Sequence, residues 1–271
     1  AQRGTGGASG HTAARTSGRG RGFTLVEVLL VVAVIAVLIA IALPALGIMR
    51  EKARRAACAS NLRGLAQIYQ IYANDHEDRV PMGARGWGPG ASQHEKQVNF
   101  LIKFRDLGQQ YYTVMGPLYQ ANLLTDPKAL YCPSERNARY QYDTAINQWP
   151  PVEKPSTTNQ HTRLGYGCYP GGRWWIGPFA PDPMHRLREF SPGDAILSDL
   201  VTSPNHLLYR HGEGVNVAGA DASVRWVHRQ AFDKWLKQIP EDTPLSAMYN
   251  DLVLKEHPDG TKTGIWAALD Q

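Results

Sequence analysis

The feature that most constrains this chain is an unbroken apolar run from Phe23 to Leu43, in which Glu27 is the only charged residue. A helix of about 21 residues spans about 31 Å, which is the thickness of the hydrocarbon core of a bilayer. The apolar core of a cleaved secretory signal is shorter, at about 7–15 residues. We therefore predict that residues 23–43 form a transmembrane helix in contact with membrane lipid.

The charges around this run predict its orientation. Residues 1–22 contain four arginines and no acidic residue. Basic flanks stay in the cytoplasm, so we expect a single-pass protein of the cytoplasmic (inner) membrane, with its C-terminal domain in the periplasm. Removing residues 1–22 would lower the formal net charge from +5 to +1. The basic excess therefore forms no extended patch, and no nucleic-acid partner is expected.

Residues 44–80 are predicted to continue the same helix as an amphipathic segment. Pro44 should kink or loosen the helix locally, because proline removes a helical hydrogen bond. Beyond it, apolar side chains recur at helical spacing and form one stripe, which we expect to pack on the protein's own globular domain. The stripe consists of Cys58, Leu62, Leu65, Tyr69 and Tyr72. The helix is expected to end near Asp78–Pro81.

Residues 81–271 are predicted to form an exported globular domain rich in β-structure. Residues 232–239 suggest one short helix. His257–Gly260 reads as a turn between strands at Leu252–Glu256 and Thr261–Trp266. The other predicted strands are Arg163–Tyr169, Ala195–Val201, Val215–Gly219 and Val224–His228.

These patterns together predict the α+β fold class. A long N-terminal α-helix, first transmembrane and then amphipathic, would pack on a small antiparallel β-sheet domain with long loops.

The chain has three cysteines, Cys58, Cys132 and Cys168. The compartment outside the membrane is oxidising, so Cys132–Cys168 within the exported domain is the natural candidate disulfide. Spacing alone does not choose between pairings, and Cys58–Cys132 remains open.

The sequence lacks the common catalytic motifs, since it has no Gly-x-Ser-x-Gly, no P-loop, no His-Glu-x-x-His and no paired Cys-x-x-Cys. We therefore expect no enzyme. An alternative class is a membrane-anchored, carbohydrate-binding surface module, because clustered aromatic side chains can stack on sugar faces. Its candidate platform consists of Trp87, Trp149, Trp174, Trp175 and Tyr166.

The junction before the apolar run reads Arg-Gly-Arg-Gly-Phe-Thr-Leu-Val-Glu over residues 19–27. It resembles the type III signal sequence of type IV pilins and type II secretion pseudopilins, which have a basic leader ending in Gly, then Phe, and an acid at the fifth mature position. The resemblance implies that prepilin peptidase removes residues 1–22 by cutting between Gly22 and Phe23, and that the new Phe23 amine is methylated. Many pilins also have a proline at the position of Pro44. The resemblance further implies assembly with other pilin or pseudopilin subunits, in a homo- or hetero-filament, at an inner-membrane assembly platform.

Glu27 has two interpretations. An acid in a first helical turn is favoured by the helix dipole. Alternatively, in a dry bundle of filament helices, Glu27 would pair with the Phe23 amine of a neighbouring subunit and set the axial register. Under the second interpretation Glu27 is an assembly residue.

A second resemblance lies between His211 and Ala222, which read His-Gly-Glu-Gly-Val-Asn-Val-Ala-Gly-Ala-Asp-Ala. This segment is similar to the His-x9-Asp-Gly motif of pilin-like proteins abundant in Planctomycetes and related bacteria, whose cysteine motif also resembles Leu130–Ser134. Ala222 stands where that family has Gly, so the turn over residues 220–223 must form without a residue that readily takes positive φ. We expect Asp221 to cap this turn and His211 to be hydrogen-bonded beneath it.

Metal binding is the weaker interpretation of this motif. The candidate ligands His211, Asp221 and Asp199 show no tight multi-ligand spacing. Some pseudopilins bind calcium, but an Asp/Asn-dense loop of that type is not evident in this sequence. No cofactor is therefore expected.

The sequence as a whole predicts a structural protein. We expect a subunit of a type II secretion pseudopilus or a type IV pilus, located in the inner membrane before assembly and in the filament afterwards. The carbohydrate-binding module is the alternative.

Overall fold

The structure is a computed structural model that describes most of the chain. The described residues are 23–86, 96–98, 101–106, 109–112, 114–151, 161–174, 184–199, 204–239, 254–257 and 259–270. The chain divides into two compact units, Ala1–Ile48 and Met49–Gln271, and each is described by itself. The proposed leader, including Gly22, lies outside the described residues.

Helix α1 runs from Leu25 to Asp75 and is continuous through Pro44. In the first unit, every residue from Phe23 to Ile48 is exposed. Among the described residues, α1 is a helix long and apolar enough to cross a membrane, and none of its most apolar stretch is buried. The first unit therefore presents an uncovered apolar helix.

The end of α1 is set by backbone geometry at two residues. Glu77 and Asp78 have positive φ, 56° and 68°, and the Asp78 N–H donates to the Ala73 carbonyl at 2.8 Å. This bond satisfies a carbonyl that has no partner within the helix. The helix ends at Asp75, a few residues before the predicted end, because Glu77 and Asp78 leave the helical backbone conformation.

The apolar stripe of α1 is buried in the second unit. All five predicted stripe residues are 5% exposed or less, and the stripe also includes Ala66 and Ala73. This burial confirms that the stripe packs on the protein's own domain.

Twelve short strands are present in the described residues, numbered in chain order. They are β1 (Ala84–Gly86), β2 (Lys96–Val98), β3 (Leu101–Asp106), β4 (Gln109–Tyr112), β5 (Thr162–Arg163), β6 (Tyr166–Cys168), β7 (Gly172–Trp174), β8 (Ala195–Asp199), β9 (Gly214–Gly219), β10 (Val224–His228), β11 (Lys255–Glu256) and β12 (Lys262–Thr263).

The central sheet has four strands in the order β10-β9-β8-β6, and all its pairings are antiparallel. Two three-stranded sheets have the orders β2-β1-β7 and β4-β3-β5, and β11 pairs with β12. The β1–β7 pairing is parallel. Strands β6, β8 and β9 are buried along their whole length, so they form the core on which the second unit is built.

Short helices connect the strands. They are α2 (Gly116–Gln120), α3 (Pro204–Arg210), α4 (Asp233–Leu236) and α5 (Ile265–Leu269), together with 3-10 turns at Pro127–Leu130, Ala138–Tyr140, Leu187–Glu189 and Arg229–Ala231. Helix α4 is the short helix expected within residues 232–239. The long helix and mainly antiparallel sheets confirm the α+β class.

The predicted strands agree with the strands of the structure to different degrees. The hairpin β9–β10 lies where it was predicted, and β8 corresponds to the described part of Ala195–Val201. The prediction of one strand over Arg163–Tyr169 is wrong, because the chain breaks at Leu164–Gly165. The Gly165 N–H donates to the Leu130 carbonyl at 3.0 Å, and a Cβ on Gly165 would lie 2.8 Å from the Cys132 nitrogen. This close approach of two backbones interrupts the strand.

The prediction for the C-terminal segment is half right. Strands β11 and β12 pair across the predicted turn, with Lys255 opposite Thr263. The second strand does not extend to Trp266, however, because Gly264 has a φ of 110°. This φ turns the chain into α5, in which Ile265, Trp266, Ala268 and Leu269 are buried.

Candidate functional site

Thr24 and Glu27 cap the start of α1 reciprocally. The Thr24 N–H and hydroxyl donate to Glu27 Oε2 at 2.8 and 2.9 Å, and the Glu27 N–H donates to Thr24 Oγ1 at 3.2 Å. This arrangement is a capping box, which satisfies free N–H groups at a helix start. It matches the first-turn interpretation of Glu27. Pairing with a neighbour's Phe23 amine stays a prediction.

A buried cluster centred on His211 lies in the second unit. His211 Nδ1 is 2.7 Å from Glu51 Oε1. On the other side of the ring, Nε2 is 3.3 Å from Cys132 Sγ and 3.4 Å from Asp199 Oδ2. One donor atom each from His211, Cys132, Asp199 and Cys58 all lie within 4.8 Å of one another. Four separate segments of the chain therefore meet at one point.

Asp199, at the end of β8, is completely buried. Its Oδ2 accepts hydrogen bonds from the Asn216 N–H at 2.7 Å and from Asn216 Nδ2 at 3.0 Å. Its Oδ1 is also buried and has no hydrogen-bond partner among the described residues. An unpartnered carboxylate oxygen inside a protein is costly, so this atom requires an explanation.

Arg55 and Trp226 lie beside the cluster. Arg55 Nη2 donates to the His211 carbonyl at 3.3 Å and pairs with Glu213 at 2.7 Å. Its guanidinium stacks over the Trp226 ring at 4.3 Å, and that ring contacts the His211 ring edge-on at 5.8 Å. These contacts fix His211 from its outer side.

The structure corrects the predicted disulfide. Cys132 is joined to Cys58, whose Cα lies 5.4 Å away, and Cys168 is a buried free cysteine. Cys58 lies in the buried stripe of α1 and faces the loop that carries Cys132, whereas Cys168 is buried in β6. Burial raises the pKa of the Cys168 thiol to about 12, against an opposing hydrogen bond with Tyr69. The pairing left open by the sequence is thus the one observed.

Asp221 has a role separate from that of His211. Its Oδ1 accepts a hydrogen bond from the Ser223 N–H at 2.9 Å, which caps the β9–β10 turn. Hydrogen bonds from Ser223 lower the pKa of the Asp221 carboxyl. Asp221 is exposed and does not belong to the His211 cluster. The next residue, Ala222, takes a φ of 62°, which is the conformation that a glycine would adopt more readily.

A second buried polar cluster centres on Glu135. Glu135 Oε2 lies 2.7 Å from His206 Nε2 and 2.8 Å from Arg210 Nη2. Glu135 Oε1 accepts from the N–H groups of Arg136 and Asn137. Burial opposes ionisation, but the His206 hydrogen bond, the Arg210 charge and the backbone donors lower the pKa of Glu135 to about 2. This cluster holds the loop after Cys132 against α3.

Of the predicted carbohydrate platform, the structure describes the side chains of Tyr166 and Trp149. Tyr166 is completely buried. Trp149 is half-buried and packs against Tyr119 and Tyr142, with ring centroids 5.6 and 6.5 Å away. Trp87 and Trp175 lie outside the described residues, and Trp174 is described only as part of β7. Tyr166 is thus a core residue, as is usual for buried aromatic side chains.

Sequence reasoning missed Glu51, Glu135, His206, Arg210 and Asn216. One signal was available for Glu51, which lies seven residues before Cys58 and so on the same face of α1. The other contacts join residues far apart in the chain, and no local pattern indicates them.

The comparisons with known proteins concern the N-terminus. Residues 18–43 match the family described as the prokaryotic N-terminal methylation motif. No curated protein and no solved structure matches the chain. The match supports processing of this chain in the manner of pilin-like or pseudopilin-like subunits, with the apolar N-terminal part of α1 as a candidate membrane anchor. The His-x9-Asp-Gly resemblance stays a prediction.

Proposed function

We propose that this protein is a structural subunit of a type II secretion pseudopilus or a type IV pilus. Prepilin peptidase cuts between Gly22 and Phe23, the Phe23 amine is methylated, and the subunit joins a filament at the inner-membrane assembly platform. Before assembly the protein is a single-pass inner-membrane protein with a periplasmic domain.

One observation carries this proposal. The methylation motif over residues 18–43 includes the first part of α1, from Leu25 to Leu43, in which every residue is exposed. A helix that is apolar on every side requires lipid or other helices around it. Membrane insertion followed by packing in a filament meets both requirements with the same residues.

Within this proposal Glu27 has two successive roles. In the single subunit it caps α1 through Thr24. In the filament its negative charge pairs with the Phe23 amine of a neighbouring subunit, because an unpaired carboxylate is costly in a dry helix bundle.

The test separates capping from charge pairing. The Glu27→Gln variant keeps a side-chain oxygen for the cap but loses the charge, so we expect normal insertion and cleavage with loss of incorporation into filaments. The matched control is Thr24→Ala, which weakens the cap but keeps the charge and should still assemble. The measurement is the amount of processed subunit in sheared filaments relative to the membrane fraction. Normal incorporation of Glu27→Gln would contradict the assembly role.

A further inference from the structure

We propose that Cys58, Cys132, Asp199 and His211 form a zinc site when the two cysteines are thiols. All four residues are 4% exposed or less, and their donor atoms lie within 4.8 Å of one another. The inference does not rest on the proposed function, because all four residues belong to the second unit.

Two of the observed donor–donor distances fit a tetrahedral ion. With Zn–S near 2.3 Å and Zn–N or Zn–O near 2.1 Å, the edges of the tetrahedron are about 3.4–3.8 Å. His211 Nε2 lies 3.3 Å from Cys132 Sγ and 3.4 Å from Asp199 Oδ2. Two edges that meet at the histidine are therefore already close to the lengths that zinc requires.

The surroundings of the four donors support the same inference. His211 Nδ1 lies 2.7 Å from Glu51 Oε1, so an N–H on Nδ1 that donates to Glu51 would leave the Nε2 lone pair for a metal ion when the cysteines are thiols. Carboxylates commonly orient zinc-bound histidines in this way. Asn216 fixes Asp199 through Oδ2, which is the carboxylate oxygen near His211 Nε2, while the other oxygen, Oδ1, has no partner among the described residues. A cation at the centre would compensate the buried charge of this carboxylate.

The chemical types of the four donor atoms favour zinc over calcium. Two thiolates, one imidazole and one carboxylate suit zinc, whereas calcium prefers six to eight oxygen ligands. Binding releases one proton from each thiol and transfers no electrons. The zinc form and the Cys58–Cys132 disulfide exclude each other, because a sulfur atom within a disulfide is not a thiolate. The observed disulfide is the oxidised form of the same cysteine pair.

The site would link distant parts of the second unit. Cys58 lies on α1, Cys132 in the loop after the first 3-10 turn, Asp199 at the end of β8 and His211 just after α3. A metal ion bound to all four would hold residues 49–75 of α1 against the central sheet. Structural zinc sites stabilise folds in this way.

The test uses the full-length chain in detergent. A phosphine reductant opens the disulfide under anaerobic conditions, thiol titration of a denatured aliquot verifies three free cysteines, and circular dichroism of the remainder verifies the fold. Co²⁺ is then added as a spectroscopic probe, because tetrahedral thiolate-bound Co²⁺ gives strong visible bands. We expect one equivalent of Co²⁺ to bind and Zn²⁺ to displace it.

Matched variants locate the site. Cys168→Ser removes the cysteine outside the cluster and should bind Co²⁺ like the wild type, whereas Cys132→Ser should lose the thiolate bands. Glu51→Gln keeps an oxygen near His211 and should bind zinc 10- to 100-fold more weakly, as is typical when an outer carboxylate is lost. This variant keeps the test informative if Cys132→Ser does not fold.

Three results would overturn the proposal. The first is a folded wild-type chain with three free thiols that binds no Co²⁺ or Zn²⁺. The second is Co²⁺ binding that persists in a folded Cys132→Ser variant. The third is a Cys58–Cys132 disulfide that cannot be reduced without unfolding the protein.

Discussion

Ala222 has a backbone conformation that is unfavourable for a residue with a Cβ atom. It occupies the turn between β9 and β10 with a φ of 62°, a conformation that costs residues with a Cβ about 1 kcal/mol or more. Ala222 as a whole is only 9% exposed, so burial of its methyl group offsets part of this cost. The turn still forms because Asp221 caps it and because β9 and β10 pair along their full length.

The Ala222→Gly variant should therefore be more stable than the wild type. Glycine adopts positive φ without steric cost, and we expect the free energy of unfolding to rise by about 1 kcal/mol, less the small loss of methyl burial. Chemical denaturation of the full chain in detergent measures this change. Ala220→Gly is the matched control, because Ala220 is buried but does not have positive φ, and it should lower stability. Equal destabilisation by both variants would show that strain at Ala222 is unimportant.

Cys168 provides a second test at the scale of one residue. In the disulfide form it is the free thiol, and burial together with its raised pKa should keep it unreactive in the folded protein. Iodoacetamide should label nothing in the folded chain and only the Cys168 peptide after denaturation without reductant. Labelling of Cys58 instead would restore the Cys132–Cys168 pairing that this structure rejects.

At the scale of elements, Glu135 joins a loop to α3 through His206 and Arg210, which lie four residues apart on that helix. Because the folded-state pKa of Glu135 is lowered from 4.5 to about 2, its contribution to stability is present above pH 4.5 and is lost as pH falls toward 2. The full contribution is on the order of 3 kcal/mol.

The corresponding prediction concerns the Glu135→Gln variant. It should be less stable than the wild type at pH 6, and the difference should shrink as pH falls toward 2. Denaturant unfolding of the full chain across this pH range measures the difference. If the difference in free energy of unfolding between wild type and variant does not change with pH, ionisation of Glu135 is not its cause.

The elements also show what the sequence can predict. The β9–β10 hairpin was predictable because a turn separates two apolar strands, and the α1 stripe because its period is helical. The parallel β1–β7 pair was not predictable, because it joins Ala84–Gly86 to Gly172–Trp174 with no local pattern. The positive φ of Gly264, 110°, was also not predictable, because nothing in the neighbouring sequence distinguishes this glycine from the others.

The candidate sites also divide into those formed by contiguous residues, which the sequence can predict, and those formed by distant residues, which it cannot. The N-terminal motif is contiguous, so Gly22, Phe23 and Glu27 could be proposed from the sequence alone. The His211 cluster gathers residues from four segments, and the sequence suggested His211 and Asp199 only as weak ligand candidates. The sequence indicates Cys58 and Cys132 only as possible disulfide partners, because nothing local places them beside His211.

At the scale of the whole molecule, the two units differ in how their apolar residues are covered. The first unit presents a helix whose side chains are exposed from Phe23 to Ile48. The second has a buried core that includes the apolar stripe of α1 and the central sheet. An exposed apolar helix of this length is explained only if lipid or neighbouring helices cover it.

The most direct test of the account is the mature N-terminus. We would isolate the protein from cells that contain active prepilin peptidase and determine its intact mass and N-terminal sequence, with peptidase-deficient cells as the control. The account predicts a chain that starts at methylated Phe23 in the first case and retains residues 1–22 in the second. An uncut leader in the presence of active peptidase would contradict it and would leave α1 as a membrane anchor alone.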